Sequence, residues 1–333
     1  MHIKKTSKSY LAEIIMRKKR SLLVEGKSDK QLFEKLIDRF VGFHTGNSHD
    51  IQIDSAEILD VPGQIGERSK VKATCSFIFD SGKISSGKFA GFVDREFDEF
   101  DLDEIQDLLE KHYIEGYLVW SRGHSIENYF FECSLFKELF WEILNDSQAS
   151  QILARFEVIF DEIIRLACAI GLASYELKKI NFIRDNINPE ILKTNDDGQI
   201  SVDFNKWEYK LSDKDLLKDF DLKELAEKYN FYYEKLAGID LSTIKWLCHG
   251  HLGFEFIIFA CCYCVHEIYS NTPNLEQTFL QTLTSRIRGI KKTRFDQCAT
   301  WWTRKVEEQK CEYPKELFLL LGIINESVGY VAD

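Results

Sequence analysis

Three acidic positions stand directly behind short apolar runs: Glu25 after 21–24, the stretch Asp94-Arg95-Glu96-Phe97-Asp98 after 89–93, and Glu127 shortly after 117–120. Carboxylates gathered from separate strand ends suit a hard divalent cation, because Mg²⁺ takes oxygen ligands, typically one or two carboxylates beside the phosphate oxygens of a substrate. An ion held by Glu25, Asp94 and Glu96 would activate water, neutralise a phosphodiester and stabilise the leaving oxygen, which is metal-assisted phosphoryl transfer. The same spacing admits a structural reading, in which Glu25 caps the helix that follows and the acids of 94–110 form a solvated face.

Other chemistries fit less well. Gly26-Lys27-Ser28 contains the end of a phosphate-binding loop, but position 21 is Ser21 where the motif requires glycine, and it precedes the strand core instead of following it. No Gly-x-Gly-x-x-Gly is present. Cys248, His249, His251, Cys261, Cys264 and His266 are zinc-type ligands, yet their spacing matches no zinc module, and 254–265 is an apolar helical run where free cysteine serves as a small core residue. Trp301 and Trp302 beside Arg304 and Lys305 suit base stacking and phosphate contact; packing of at least one indole in the core is the simpler expectation. Tyr129, Phe130 and Phe131 are expected in the core.

The elements that must position the acids follow from periodicity. Ser21-Leu22-Leu23-Val24 reads as a strand, and Leu32, Phe33, Leu36, Ile37 and Phe40 beyond Glu25-Gly26 have the spacing of an amphipathic helix. Ser28 followed by Gln31 suggests a capping box at its start. Strands are also predicted at 51–53, 89–93 and 117–120, and Leu102, Ile105, Leu108 and Leu109 predict a helix between the last two. Alternation of strand and helix implies an α/β fold with a mostly parallel sheet flanked by helices, in which ligands sit beyond the carboxyl ends of the strands. Beyond Cys133 the pattern is helical, with candidates at 135–144, 152–171, 216–233, 254–269, 275–290 and 317–324, and a loop or short hairpin at 186–205. The division expected is an α/β domain over 1–133 and an α-helical domain over 134–333, serving partner binding, dimerisation or substrate binding.

Composition bounds the class. With 333 residues, 44% hydrophobic, 25 Phe and four Pro, the chain suits two modest domains and excludes disorder and collagen-like repeats. The basic N-terminus lacks an apolar segment and a small-residue cleavage site, and the longest apolar run is shorter than a bilayer span requires, so a cytoplasmic protein with no membrane partner is expected. Nine cysteines without an export signal are read as reduced thiols. The net charge of −11 is uneven: 94–110 holds nine acids and one base, whereas 1–20 carries seven bases and one acid, and 286–310 eight bases and three acids. The basic stretches are compatible with phosphate contact or with plain solvated faces.

Three segments carry a family resemblance. Leu22-Leu23-Val24-Glu25-Gly26-Lys27-Ser28-Asp29, Gly91-Phe92-Val93-Asp94-Arg95-Glu96-Phe97-Asp98 and His124-Ser125-Ile126-Glu127-Asn128-Tyr129, in order over about 20–132, resemble the three motifs of a TOPRIM domain of the DUF4435 type. The resemblance implies Mg²⁺, or Mn²⁺ in its place, bound by Glu25 and an Asp-x-Asp pair. The first Asp of that pair is Asp94, while the second position is Glu96, a departure that keeps a carboxylate on a longer stem. Asp98 stands as its substitute. The Ile-Glu-Asn triplet makes Glu127 a further ligand and His124 a substrate or acid/base contact. Trp246-Leu247-Cys248-His249-Gly250-His251-Leu252 is similar to a Gly-His segment of the same proteins, with His251 toward the substrate, and Lys27 and Arg122 are available to steady a phosphate. In architecture and length the chain resembles the TOPRIM effectors of PARIS anti-phage (abortive infection) systems. That implies a ribonuclease cutting host tRNA after release from an ABC-type ATPase partner, dimeric when active. The alternatives are a DNA nuclease of the OLD type and a degenerate regulatory subunit of such an ATPase.

Overall fold

The computed structural model describes residues 4–45, 50–109, 111–145, 147–195, 198–214, 216, 220–270, 277–289, 295–308 and 311–324. The chain divides into two compact units: one comprises 1–99, 109–129 and 298–333, the other 100–108 and 130–297. This replaces the single cut expected after Cys133. The C-terminal stretch returns to the first unit, where Trp302 packs against Tyr129 at 5.1 Å between ring centroids and His112 Nδ1 lies 2.9 Å from Glu316 Oε2.

The first unit is built on a five-stranded sheet. In chain order it contains α1 (Ser7–Met16), β1 (Arg20–Val24), α2 (Lys27–Thr45), β2 (Ile51–Ser55), α3 (Glu67–Ser81) and β3 (Phe89–Val93). Two antiparallel pieces, β4 (Phe100–Asp101) and β5 (Gln106–Asp107), belong to the other unit, after which β6 (Ile114–Glu115) and β7 (Leu118–Trp120) complete the sheet. The order is β2-β1-β3-β7-β6, parallel throughout except for the antiparallel edge strand β6. The mostly parallel α/β sheet expected from the sequence is therefore present.

Burial on both faces explains the continuous apolar strands. Leu23, Phe89 and Val93 join one core with Tyr10 and Ile14 of α1 and Val71, Cys75 and Ile78 of α3. On the opposite face Phe33 of α2 meets Phe92 edge to face at 4.8 Å. Gly91 permits the close approach of α3, since a Cβ there would lie 2.2 Å from Cys75 Sγ.

The helix expected around 102–109 does not form. Glu99 and Ile105 have φ of 58° and 53°, left-handed values no helix interior accepts, and Asp101 Oδ1 accepts the N–H groups of Asp103 and Glu104 in a local turn. The basic N-terminal stretch is partly structural: Thr6 caps α1, and Arg17 turns inward to Asp54 at 2.5 Å and Glu13 at 2.6 Å.

The second unit is helical, as the periodicity beyond Cys133 predicts. It comprises α4 (Cys133–Leu144), α5 (Ala149–Glu176), α6 (Ile180–Asn186), a β8–β9 hairpin (Leu192–Thr194 with Ile200–Val202), α7 (Phe204–Asp213), α8 (Leu222–Leu236), α9 (Leu241–Leu247), α10 (Gly250–Tyr269) and α11 (Gln277–Arg288). The chain then returns to the first unit with α12 (Phe295–Glu307), most of which belongs there, and the short α13 (Lys315–Leu320). The α10 helix is long and apolar enough to span a bilayer, but 78% of its apolar window is buried inside the protein, in keeping with a core helix packed against α5.

Candidate functional site

The carboxyl ends of β1 and β3 lie side by side, because the strands are parallel partners with Leu23 opposite Gly91. Glu25 and Asp94 follow their strands immediately and meet: Glu25 Oε1 accepts the Asp94 N–H at 2.7 Å. Asp94 Oδ1 in turn accepts the Ile126 N–H at 3.1 Å, at the start of a 3₁₀ turn (Ile126–Phe130) that carries Glu127. Glu127 is buried, 7% exposed, and its Oε2 accepts from Ser125 Oγ at 2.7 Å. Asn128, wholly buried, accepts the Ser125 N–H at 2.8 Å and holds the turn closed. Three sequence segments far apart in the chain are thus tied together by carboxylate-to-backbone and turn hydrogen bonds.

Asp29 joins them from α2, and its side chain is the helix cap. Its Oδ2 accepts the Gly26 N–H at 2.8 Å, the reciprocal half of a capping box, so the cap is Asp29 on Gly26 where the sequence suggested Ser28 and Gln31. Glu25 is pushed up to about 7, first by burial and then by the charges of Asp29 and Glu96, against the opposing Asp94 N–H and Arg68. Asp94 is raised well above the ordinary carboxylate range by burial, then by Glu25, Asp29 and Glu127. Like charges held together in a desolvated place resist ionisation unless a cation accompanies them.

The loop after β3 is clamped from two sides. Arg95 is wholly buried and donates to the carbonyls of Asp98 at 2.8 Å, Arg122 at 3.0 Å and Glu99 at 2.5 Å, while its N–H reaches Ser121 Oγ at 2.8 Å. From α3, Arg68 donates to the carbonyls of Asp94 and Arg95 and forms ion pairs with Glu96 Oε2 at 3.0 Å and Asp98 Oδ2 at 2.7 Å. Glu96 is consequently held at φ 55°, its N–H on the His124 carbonyl at 2.6 Å. The carboxylates of Glu96 and Asp98 are exposed and engaged by Arg68, so the inner acid group is the half-buried Glu25, Asp94 and Asp29 together with the buried Glu127.

The remaining predicted contacts have their own settings. His124 is buried with its ring edge-on to Phe97 at 4.6 Å. Lys27 is 75% exposed on the first turn of α2 and pairs with Glu57 at 2.9 Å. Arg122, 12% exposed, lies 3.9 Å from Glu312. His251 belongs to the second unit, on the first turn of α10, with its ring 5.9 Å from that of His249. Trp301 and Trp302 are buried at 7% and 0% exposure, which removes the stacking platform, and Trp302 Nε1 donates to the Glu312 carbonyl at 2.9 Å. The nine cysteines are free thiols, with Cys261, Cys262 and Cys264 packed inside α10.

Among the described residues no three His, Cys, Asp or Glu side chains already converge to hold an ion, and each acid of the group has one oxygen engaged by a neighbouring donor. The donor chemistry nevertheless suits a hard divalent cation: all oxygen, anionic in excess, and set where burial penalises the bare charges. Glu25, Asp94 and Glu127 would be the holders, with Asp29 beside them. Compared with known proteins, the chain matches no family model and no curated protein.

Proposed function

We propose that the protein is a divalent-metal-dependent nuclease of TOPRIM type, an effector of an ATPase-linked anti-phage system that cuts host tRNA. The observation that carries the hydrolytic reading is the interlocked pair at the ends of the two central strands, Glu25 and Asp94, both raised by burial and by neighbouring negative charge. Burying repelling carboxylates weakens a fold, and strongly perturbed acids of this kind cluster at functional sites. Glu25, Asp94 and Glu127 would hold Mg²⁺ or Mn²⁺, which when bound supplies Lewis-acid polarisation of the phosphodiester and a more acidic water. The chain's own part is orientation. The Ile126 N–H fixes Asp94, Ser125 Oγ fixes Glu127, and Lys27 presents an exposed ammonium on the first turn of α2. The tRNA target, the ATPase partner and dimerisation on activation rest on the resemblance in architecture and length, and a cytoplasmic site of action on the N-terminal sequence and the length of the apolar runs.

One observation favours a second reading. Glu96 stands at the second position of the acid pair and is ion-paired to Arg68, an arrangement that also suits a regulatory subunit without hydrolysis. The test is to express the full chain with its genomic neighbour and a phage trigger, and to compare wild type with Glu25→Gln and Asp94→Asn. Discrete tRNA fragments that vanish in both variants are expected. Loss of DNA with RNA intact points to a DNA nuclease of the OLD type. Intact RNA and DNA, with variants behaving like wild type, overturns the enzyme in favour of the regulatory subunit.

A further inference from the structure

A cavity of about 1010 Å³ opens beside the acid pair and runs along α3. Its lining includes Glu25 and Glu96, then Arg68 and Lys72, then Phe79 and Gly116. From Arg68 to Phe79 the helix advances about 16 Å, a length that accepts a short run of extended chain. Apolar surface faces this space: Ile65 is 96% and Phe79 54% exposed, both in the lining. The cations of the wall stack on Trp120, with Arg68 Cζ at 4.9 Å and Lys72 Nζ at 4.3 Å from its ring centroid.

Arg68 has four acceptors of two kinds. The carbonyls of Asp94 and Arg95, at 2.9 and 3.1 Å, fix its plane against the loop, whereas Glu96 and Asp98 are side chains 55% and 50% exposed. Ion pairs to such solvated carboxylates contribute little. A guanidinium fork serves phosphate as readily as carboxylate, through the same two N–H groups. We infer that Arg68 is a substrate-responsive latch: in the free protein it holds Glu96 and Asp98, and a phosphate of a single-stranded nucleic acid lying in the α3 cavity takes their place. This rests on the nuclease reading and names the substrate form for it. Unpaired bases have an apolar face for Phe79 and Ile65, which paired bases do not present. The wall also carries Glu67, Asp80 and Glu115, so its acids outnumber Arg68 and Lys72, and strand entry requires a divalent cation to offset them.

The test is binding of labelled single-stranded RNA and DNA of about a dozen nucleotides to the full chain, by fluorescence anisotropy with Ca²⁺ in place of Mg²⁺ to suppress cleavage. Arg68→Gln is expected to weaken binding about tenfold, a loss of ~1.4 kcal/mol. Glu96→Gln with Asp98→Asn is expected to tighten it, because the competitors for the guanidinium are gone. Opposite signs from residues in direct contact distinguish a latch from a structural clamp, whose removal on either side weakens binding alike. Equal weakening by both variants, unchanged affinity in Arg68→Gln, or duplex bound as tightly as single strand overturns the latch while leaving the nuclease reading standing. No binding of either strand by wild type with any cation, together with no effect of Glu25→Gln on Mn²⁺ affinity, overturns the nuclease reading and the latch with it.

Discussion

A carboxyl group whose proton is held more tightly in the folded chain than in the unfolded one makes the fold weaker as pH rises. Glu25, pushed from 4.5 to about 7 by burial and by Asp29 and Glu96, is such a group. Its folded form binds more protons than its unfolded form between those values. Stability is therefore intact below the unfolded value, falls as pH climbs through the window, and stays reduced above it, by on the order of 3 kcal/mol at most. Asp94 shifts in the same direction. Glu316 behaves oppositely: burial raises it, but the His112 contact outweighs that and lowers it, so its contribution is present at neutral pH and lost as pH falls through its depressed folded value. Glu25→Gln keeps an oxygen for the Asp94 N–H and removes the charge. In urea unfolding at about pH 8 it is expected to stabilise the protein by ~1–3 kcal/mol, with little change near pH 4. Adding millimolar Mg²⁺ should stabilise wild type more than the variant. A variant less stable than wild type at the higher pH would remove the account of Glu25 as a strained acid.

At the scale of elements, what the sequence announced was whatever repeats with a short period. The strands β1, β3 and β7 were legible because buried parallel strands read as apolar runs, β2 only through Ile51 and Ile53, and Glu25, Asp94 and Glu127 were legible because they stand behind three of these strands. Two things were not. The spacing of Leu102, Ile105, Leu108 and Leu109 looked helical, but Asp101 captures the N–H groups that would have begun a helix. The α3 helix went unread, although Val71, Thr74, Cys75 and Ile78 have the right spacing, because its mean character is polar and its cap is glycine. Arg68 was hidden with it, since no local pattern links a residue to a loop 28 positions away. The contact of α3 with β3 is also sensitive to a single methyl group. Gly91→Ala places a carbon 2.2 Å from Cys75 Sγ and 3.3 Å from Val71 Cγ1. Overpacking of that kind costs about 1–3 kcal/mol, and because α3 carries Arg68, the variant should lose nucleic-acid binding as well as thermal stability. Relief by Cys75→Ala in the same chain is the expected signature, and a Gly91→Ala protein as stable as wild type would contradict the packing.

For the whole molecule, chain order and spatial order part company at the C-terminus. The described residues 298–308 and 311–324 group with the sheet, not with the helices that precede them, and nothing in their helical periodicity announces which partner they choose. What fixes the choice is side-chain chemistry. Trp302 is wholly buried against Tyr129, and Tyr129 also contacts His112, which pairs with Glu316. Leu317, Phe318 and Leu321 have no exposed surface, and the chain turns at Gly87 with φ 80°, a left-handed value that favours glycine. A fragment of residues 1–133, cut where the sequence pattern alone divides the chain, would expose that apolar surface and leave Tyr129 and His112 without their partners from 302 and 316. Removing Trp302 alone, as Trp302→Ala, should cost on the order of 3–5 kcal/mol. Losing the entire segment exceeds the margin of a typical domain. The 1–133 fragment is therefore expected to lack near-ultraviolet circular dichroism and to be digested rapidly by protease, whereas adding 298–333 through a flexible linker should restore both signals. A 1–133 fragment that melts cooperatively and resists protease without the C-terminal segment would show that the sheet is self-sufficient, and Trp302 would then be a covering residue instead of a foundation of the unit that carries Glu25 and Asp94.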